Sequence, residues 1–204
     1  TETQLIGALT DLEASVIATH ARPLSTRTID KSIDQLAQIV QNLVHASGFP
    51  KNKLLGVGIG LAGTVDAENG ILRQSPYLGW RDLPIRQLLK AKVRVPVYVD
   101  NDVNTLTLAE KWFGAGQGLD HFLTVTVGRG VGLGIVVNGQ FYRGAGGGAG
   151  EFGHTVVDPD GPTCACGKRG CLEAFVSDPG LIYMATQAAR RGDLSETPHS
   201  VADL

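Results

Sequence analysis

The chain has 204 residues, 27 of them glycine, a share well above the usual value of about 7%. With 43% hydrophobic, 6% aromatic and 19% charged residues, and no three-residue glycine period, collagen and disorder are excluded, and a globular protein of one large domain or two small lobes is expected. Eighteen Lys and Arg against 20 Asp and Glu give a formal net charge of −2, so there is no polycationic footprint for nucleic acid or an anionic membrane. No apolar run approaches the roughly 20 residues that span a bilayer, and residues 1–20 lack the basic start and apolar centre of a signal peptide. A cytoplasmic location is the expectation. The first residue is Thr rather than Met, and a fold truncated at both ends is expected.

Residues 4–9 and 15–19 read as two short strands around Asp11-Leu12, a hairpin. Ile29, Ile33, Leu36, Val40 and Leu43 then recur at three and four, predicting an amphipathic helix over about 27–46 that stops near Gly48 and Pro50. Residues 54–61 form a buried strand interrupted by glycines. Residues 95–99 form another, which ends at Asp100-Asn101-Asp102 and turns into a helical pattern through Leu106, Ala109, Glu110 and Phe113. Periodicity stops at 114–118, and a lobe boundary is placed there, giving an N-terminal α/β lobe over 1–116 and a C-terminal α/β lobe over 117–204. In the second lobe, 122–127 and 134–137 are strands, and the latter enters the hairpin turn Asn138-Gly139 before Gln140-Phe141-Tyr142. Residues 171–176 and 179–191 read as helical, followed by a polar tail.

Three groups of residues carry chemistry. All three cysteines fall between 164 and 171, and with His154 they form H-x9-C-x-C-x4-C, four ligands suited to tetrahedral zinc. A site closed by four protein ligands leaves no position for water, so this zinc is read as structural, pinning residues 150–173. Asp100-Asn101-Asp102 lies where open α/β sheets place their ligands, beyond the carboxyl end of a strand. Asp102 is then a candidate base, while Asn101 or Asp102 serves equally as a helix N-cap. Glu151 and Glu173, fixed by the zinc loop, are placed to accept hydrogen bonds from sugar hydroxyls. Gly128-Arg129-Gly130-Val131-Gly132-Leu133-Gly134 has the glycine content of a phosphate cradle, with Gly128, Arg129 and Gly130 as candidate contacts. It lacks Gly-Lys-Ser/Thr and runs into a strand, so a tightly packed hairpin accounts for it equally well.

With Gly56–Asp66 (GVGIGLAGTVD), Asn101-Asp102, Gly150-Glu151-Phe152-Gly153-His154 and Cys164-x-Cys166-Gly167-x-x-Gly170-Cys171-Leu172-Glu173 in this order, the chain resembles the ROK family of bacterial repressors and sugar kinases. The resemblance implies a two-lobed actin-like ATPase (ribonuclease H-like) α/β fold with sugar in the interlobe cleft and, in the kinases, ATP beside it. It implies that Asp102 matches the catalytic base of the kinases, which takes a proton from the attacking sugar hydroxyl. Asn101, Glu151, His154 and Glu173 match sugar contacts, so His154 would serve zinc through one ring nitrogen and sugar through the other.

Three departures point to the repressor branch. No Asp-x-Gly-Gly-Thr phosphate loop precedes residue 54, Arg129 stands where the kinases carry Thr in Gly-Thr-Gly, and Tyr77 in Ser75-Pro76-Tyr77-Leu78 stands where they carry Asn. The expectation is the sugar- or sugar-phosphate-sensing domain of a ROK-type transcriptional regulator, a homodimer or tetramer that meets DNA only through a winged helix-turn-helix outside this chain. The alternative is an ATP- and Mg2+-dependent sugar kinase of glucokinase or N-acetylhexosamine kinase type.

Overall fold

In a computed structural model that describes residues 3–25, 28–75, 77–194, 196–197 and 199–203, the first hairpin forms where the polar break Asp11-Leu12 allows it. Strands β1 (Gln4–Thr10) and β2 (Val16–Pro23) pair antiparallel. The Asp11 carboxylate accepts the backbone N–H groups of Glu13 and Ser15 at 2.9 Å each, closing the turn without a glycine. Helix α1 (Ile29–Ala46) follows. The expected first residue of this helix, Arg27, lies outside the described residues. The apolar face of α1 splits between two clusters. Ile39 and Leu43 pack with Leu9 under the hairpin, whereas Ile33 and Ala37 join the main core.

Strand β3 (Val57–Leu61) belongs to that core, but its parallel partner comes forty residues later. The crossover between them contains β4 (Thr64–Asp66), β5 (Ile71–Ser75) and β6 (Trp80–Leu83), an antiparallel meander in the order β4-β5-β6, followed by helix α2 (Ile85–Val93). No element is expected from the sequence between 62 and 94. The strands there have three to five residues and no clean alternation, so their pattern falls below what periodicity resolves. Strand β7 (Val97–Asn101) then aligns Val57 with Val97 and Leu61 with Asn101, and helix α3 (Asp102–Phe113) leaves its end. Val97 and Val99 point into the core with Leu72, Ile85 and Leu89, three side chains with no exposed surface.

Strands β8 (Phe122–Val127), β9 (Val131–Val137) and β10 (Gln140–Phe141) form a second antiparallel sheet. Strand β9 begins three residues earlier than the sequence predicts. Gly132, which reads as loop, and Gly134, where the strand is expected to start, lie in the ladder opposite Thr126 and Thr124. Asn138 and Gly139 both have positive φ, 51° and 67°, the backbone that a two-residue hairpin demands. Helices α4 (Glu173–Val176) and α5 (Asp178–Arg191) close the described structure apart from a last short turn. Ser177 caps α5 by accepting the Gly180 N–H at 3.3 Å, with Pro179 in the first turn. The chain divides into two compact units, Thr1–Leu119 with Gly144–Gly148, and Asp120–Arg143 with Ala149–Leu204. Among the described residues, no helix is long and apolar enough to cross a membrane.

The core of the first unit sets its stability. Leu72→Ala leaves a void where no solvent reaches, and an unfolding free energy lowered by about 3 kcal/mol is expected from urea denaturation.

Candidate functional site

Residues 150–173 form a knuckle built almost entirely from backbone hydrogen bonds and turns. Cys164 N–H donates to Lys168 O at 2.8 Å, Gly167 N–H to Cys164 O at 2.9 Å and Gly170 N–H to Pro162 O at 2.8 Å. The bridges Val156–Cys171 and Thr163–Arg169 hold its two arms together. Gly170, at φ 67°, passes so close to Asp158 that any Cβ there would overlap its carbonyl oxygen, which makes glycine obligatory at the crossing. Short polar segments of this kind bury little apolar surface, so side-chain clusters carry more of the load.

The cluster is the one predicted from spacing. His154, Cys164, Cys166 and Cys171 present ligand atoms all within 4.8 Å of one another. Cys164 Sγ lies 3.5 Å from His154 Nδ1, and Cys166 Sγ lies 3.7 Å from Cys171 Sγ. A tetrahedral zinc with Zn–S of about 2.3 Å and Zn–N of about 2.0–2.1 Å requires edges of about 3.6 Å and about 3.8 Å for these two kinds of pair. These two pairs match those edges, and the donor set fits zinc in chemistry. Burial pushes the Cys164 thiol up to about 12 and raises that of Cys171. Burial also opposes ionisation of Cys166, but the Lys168 backbone N–H and hydrogen bonds with the other two thiols outweigh it and hold that thiol below its ordinary value. Three thiols so crowded release their protons together only to a cation.

Two carboxylates flank the cluster. Glu151 Oε2 stands 3.7 Å from His154 Nε2, and Glu173 Oε1 stands 4.0 Å from His154 Nδ1. The imidazole thus turns Nδ1 to the thiols and Nε2 to Glu151, the relation by which an outer carboxylate orients a metal-bound histidine. The two acids differ in access. Glu151 is 56% exposed and Glu173 only 14%, and Glu173 Oε2 accepts the Val131 N–H at 2.9 Å. That bond joins residues 42 apart in sequence, and no local pattern announces it.

The other predicted residues begin α3 in the first unit. Asn101 is the N-cap: its Oδ1 accepts the N–H groups of Val103 at 2.8 Å and Asn104 at 3.1 Å, and its Nδ2 donates to Gly63 O at 3.0 Å. Among the described residues, the Asp102 carboxylate accepts the Val103 N–H at 3.0 Å, and it stays exposed. From sequence, Asp100 is placed at the strand end without a role of its own, and Asn104 is not singled out. Both are buried, and Asn104 Nδ2 donates to Asp100 Oδ1 at 2.8 Å. Their i,i+4 spacing across the strand–helix junction is the available signal. Gly128, Arg129 and Gly130 occupy the turn between β8 and β9, where Gly128 O accepts the Asp178 N–H at 2.7 Å. Ser75 and Tyr77 lie at and just after the end of β5. Pro76 between them lies outside the described residues.

A two-unit α/β chain with a knuckle of one histidine and three cysteines, and with an acidic strand–helix junction, defines the class, the actin-like ATPase fold of sugar kinases and related regulators. A model of the ROK family matches residues 2–201, and the chain belongs to that family. The putative xylose repressor of Caldicellulosiruptor sp. strain Rt8B.4 is 37% identical over 163 residues, 80% of this chain and 41% of that protein. The glucokinase of Halalkalibacterium halodurans is 44% identical over 159 residues, 74% of this chain and 48% of that protein. Among solved structures, a ROK family transcriptional regulator, homolog of the E. coli MLC protein, superposes with a TM-score of 0.88 at 28% identity, covering 99% of this chain and 52% of that one. A ROK family glucokinase from Streptomyces griseus in complex with glucose and AMPPNP gives 0.81 at 33% identity, covering 95% of this chain and 60% of that one. The chain spans about half the length of the curated relatives it matches.

The cap at α3 is open to direct measurement. Asn101→Ala is expected to lower stability by about 1–2 kcal/mol in urea denaturation, and Asn101→Asp, which retains a capping oxygen, by a smaller amount.

Proposed function

We propose that this chain is the effector-sensing part of a ROK-type transcriptional regulator, binding a sugar or sugar phosphate and meeting DNA only through a winged helix-turn-helix domain elsewhere in the polypeptide. The observation that carries this reading is Arg129. It occupies the β8–β9 turn at the position where the family resemblance gives the kinases Thr, and no Gly-Lys-Ser/Thr accompanies it. The xylose repressors among the relatives support the same branch, and the formal charge of −2 gives this segment no DNA footprint of its own.

Zinc is the metal we assign to His154, Cys164, Cys166 and Cys171. With four protein ligands it offers no position to water, and its contribution is to fix the knuckle. His154 Nδ1 faces the metal side, which leaves Nε2, beside Glu151, for a sugar hydroxyl. Asn101, Asp102, Glu151, His154 and Glu173 are the proposed sugar contacts, with the carboxylates accepting from hydroxyls. Gly128, Arg129 and Gly130 are the proposed phosphate contacts, the guanidinium pairing with the phosphate of a phosphorylated effector. A sugar that prefers one conformation of the chain shifts the population toward it and thereby the placement of DNA-binding domains in a cytoplasmic homodimer or tetramer.

A second reading, an ATP- and Mg2+-dependent sugar kinase, is favoured by one observation: Asp102 is exposed, and the main capping role beside it falls to Asn101. In that reading Asp102 is the base, and Asp102→Ala in the intact protein abolishes ATP-dependent phosphorylation of glucose or N-acetylhexosamines. The regulator reading expects no such phosphorylation from the intact wild-type protein, and its detection would overturn that reading.

Two measurements test the proposal on the chain itself. Elemental analysis is expected to find about one zinc per chain, lost in Cys166→Ser. Calorimetric titration with xylose, glucose and glucose 6-phosphate is expected to show binding of at least one of them. If a phosphorylated sugar is preferred, Arg129→Ala removes the preference, and the same preference in both proteins would dismiss Arg129 as a phosphate contact. Tight binding of operator DNA by this chain alone contradicts the regulator assignment.

A further inference from the structure

Glu173 touches two parts of the second unit that its role as a sugar contact does not connect. Its Oε1 lies 4.0 Å from both His154 Nδ1 and Cys164 Sγ, and its Oε2 accepts the Val131 N–H at 2.9 Å. Because the side chain is only 14% exposed, this charge-assisted bond is shielded from water and gains strength from that. Val131 is the first residue of β9, directly after Gly128-Arg129-Gly130. Its carbonyl is confined as well. Gly153, immediately before His154, lies so near that a Cβ there would stand 2.5 Å from Val131 O. At the other end of the turn, Asp178 N–H holds Gly128 O at 2.7 Å. Both ends of the turn are therefore gripped by residues that follow or adjoin the histidine–cysteine cluster, and Glu173 itself begins α4 two residues after Cys171.

We propose that Glu173 is a positioning residue that couples occupancy of the His154, Cys164, Cys166 and Cys171 centre to the conformation of the turn carrying Arg129. A metal that fixes His154 and Cys164 fixes the two groups against which Glu173 Oε1 rests, and one that fixes Cys171 fixes the start of its helix. The carboxylate then has a single place to stand, with Oε2 on the Val131 N–H. When the metal leaves, that support leaves with it, and the β8–β9 turn loses the bond that ties its second end. A ligand that uses Arg129 thereby senses the metal through Glu173. The proposal rests on the assignment of zinc to the cluster.

The test is amide hydrogen exchange by NMR on the 15N-labelled 204-residue chain, zinc-loaded and after EDTA, for wild type, Glu173→Gln and Glu173→Ala. In the wild type, zinc removal is expected to speed Val131 exchange about tenfold or more, the scale of losing one hydrogen bond to a charged group, with smaller changes in the β8–β9 ladder amides. Both variants are expected to keep about one zinc per chain by elemental analysis. Val131 should exchange fast in Glu173→Ala even with zinc bound, with no further effect of EDTA, and Glu173→Gln, which retains a neutral acceptor, should fall between. If Glu173→Ala loses the ladder amides altogether, Glu173→Gln alone decides, and a zinc response equal to that of the wild type overturns the coupling.

Wild-type Val131 exchange indifferent to zinc, or a zinc response that persists in Glu173→Ala, overturns the coupling and leaves the zinc assignment standing. Loss of the whole β8–β9 ladder on zinc removal also overturns it, because the metal then acts on the unit rather than through one carboxylate. A wild-type chain that takes up no zinc overturns both.

Discussion

The arrangement of the second unit depends on one constraint, the convergence of His154, Cys164, Cys166 and Cys171 on a volume one ion wide. Residues 150–173 contain neither a long helix nor a strand of their own, and backbone bonds between polar turns contribute only modest net stability. The metal proposed for this cluster would supply, through three thiolates and an imidazole, what an apolar core supplies elsewhere. The rest follows from its position. Glu151 and His154 face each other because the short turn Phe152–His154 brings them one turn apart. Glu173 is set beside the cluster because α4 starts two residues after Cys171, and the β8–β9 turn is set because Glu173 and Asp178 hold its ends.

The first unit reaches its chemistry by a different route. There an apolar core of α1, α2, β3, β5 and β7 fixes the end of a parallel strand, and a buried Asp100–Asn104 pair fixes the start of the helix that follows. Asn101 takes the capping role with two backbone N–H groups, which leaves the Asp102 carboxylate exposed. The same junction suits a sugar contact in a sensor and a base in a kinase. Relatives of both kinds match the chain at comparable identity, so the fold is common to both branches.

Much of this is legible in the sequence, and the exceptions have physical reasons. Helix α1 and strands β3 and β7 are long and apolar enough for periodicity to reveal them, and the candidate metal ligands betray themselves because every cysteine of the chain lies within eight residues. The meander β4-β5-β6 is invisible because its strands are short and owe their pairing to neighbours. The start of β9 is hidden because Gly132, which normally signals a loop, keeps its place in the ladder. Asn101 and Asp102 both read as caps, and Asp102 also as a candidate base, and only the direction of the Asn101 oxygen shows which residue caps α3. The bond from Glu173 to Val131 has no local signature at all, because it spans 42 residues. Of the 27 glycines, 18 fall between 114 and 180, so the compositional excess is concentrated in that stretch.

X-ray absorption at the zinc K-edge of the purified chain tests the central claim most directly. A closed coordination sphere is expected, with three sulfurs at about 2.3 Å, one nitrogen at about 2.0–2.1 Å and no oxygen ligand. A sphere dominated by oxygen and nitrogen, or one with fewer than three sulfurs, would contradict it.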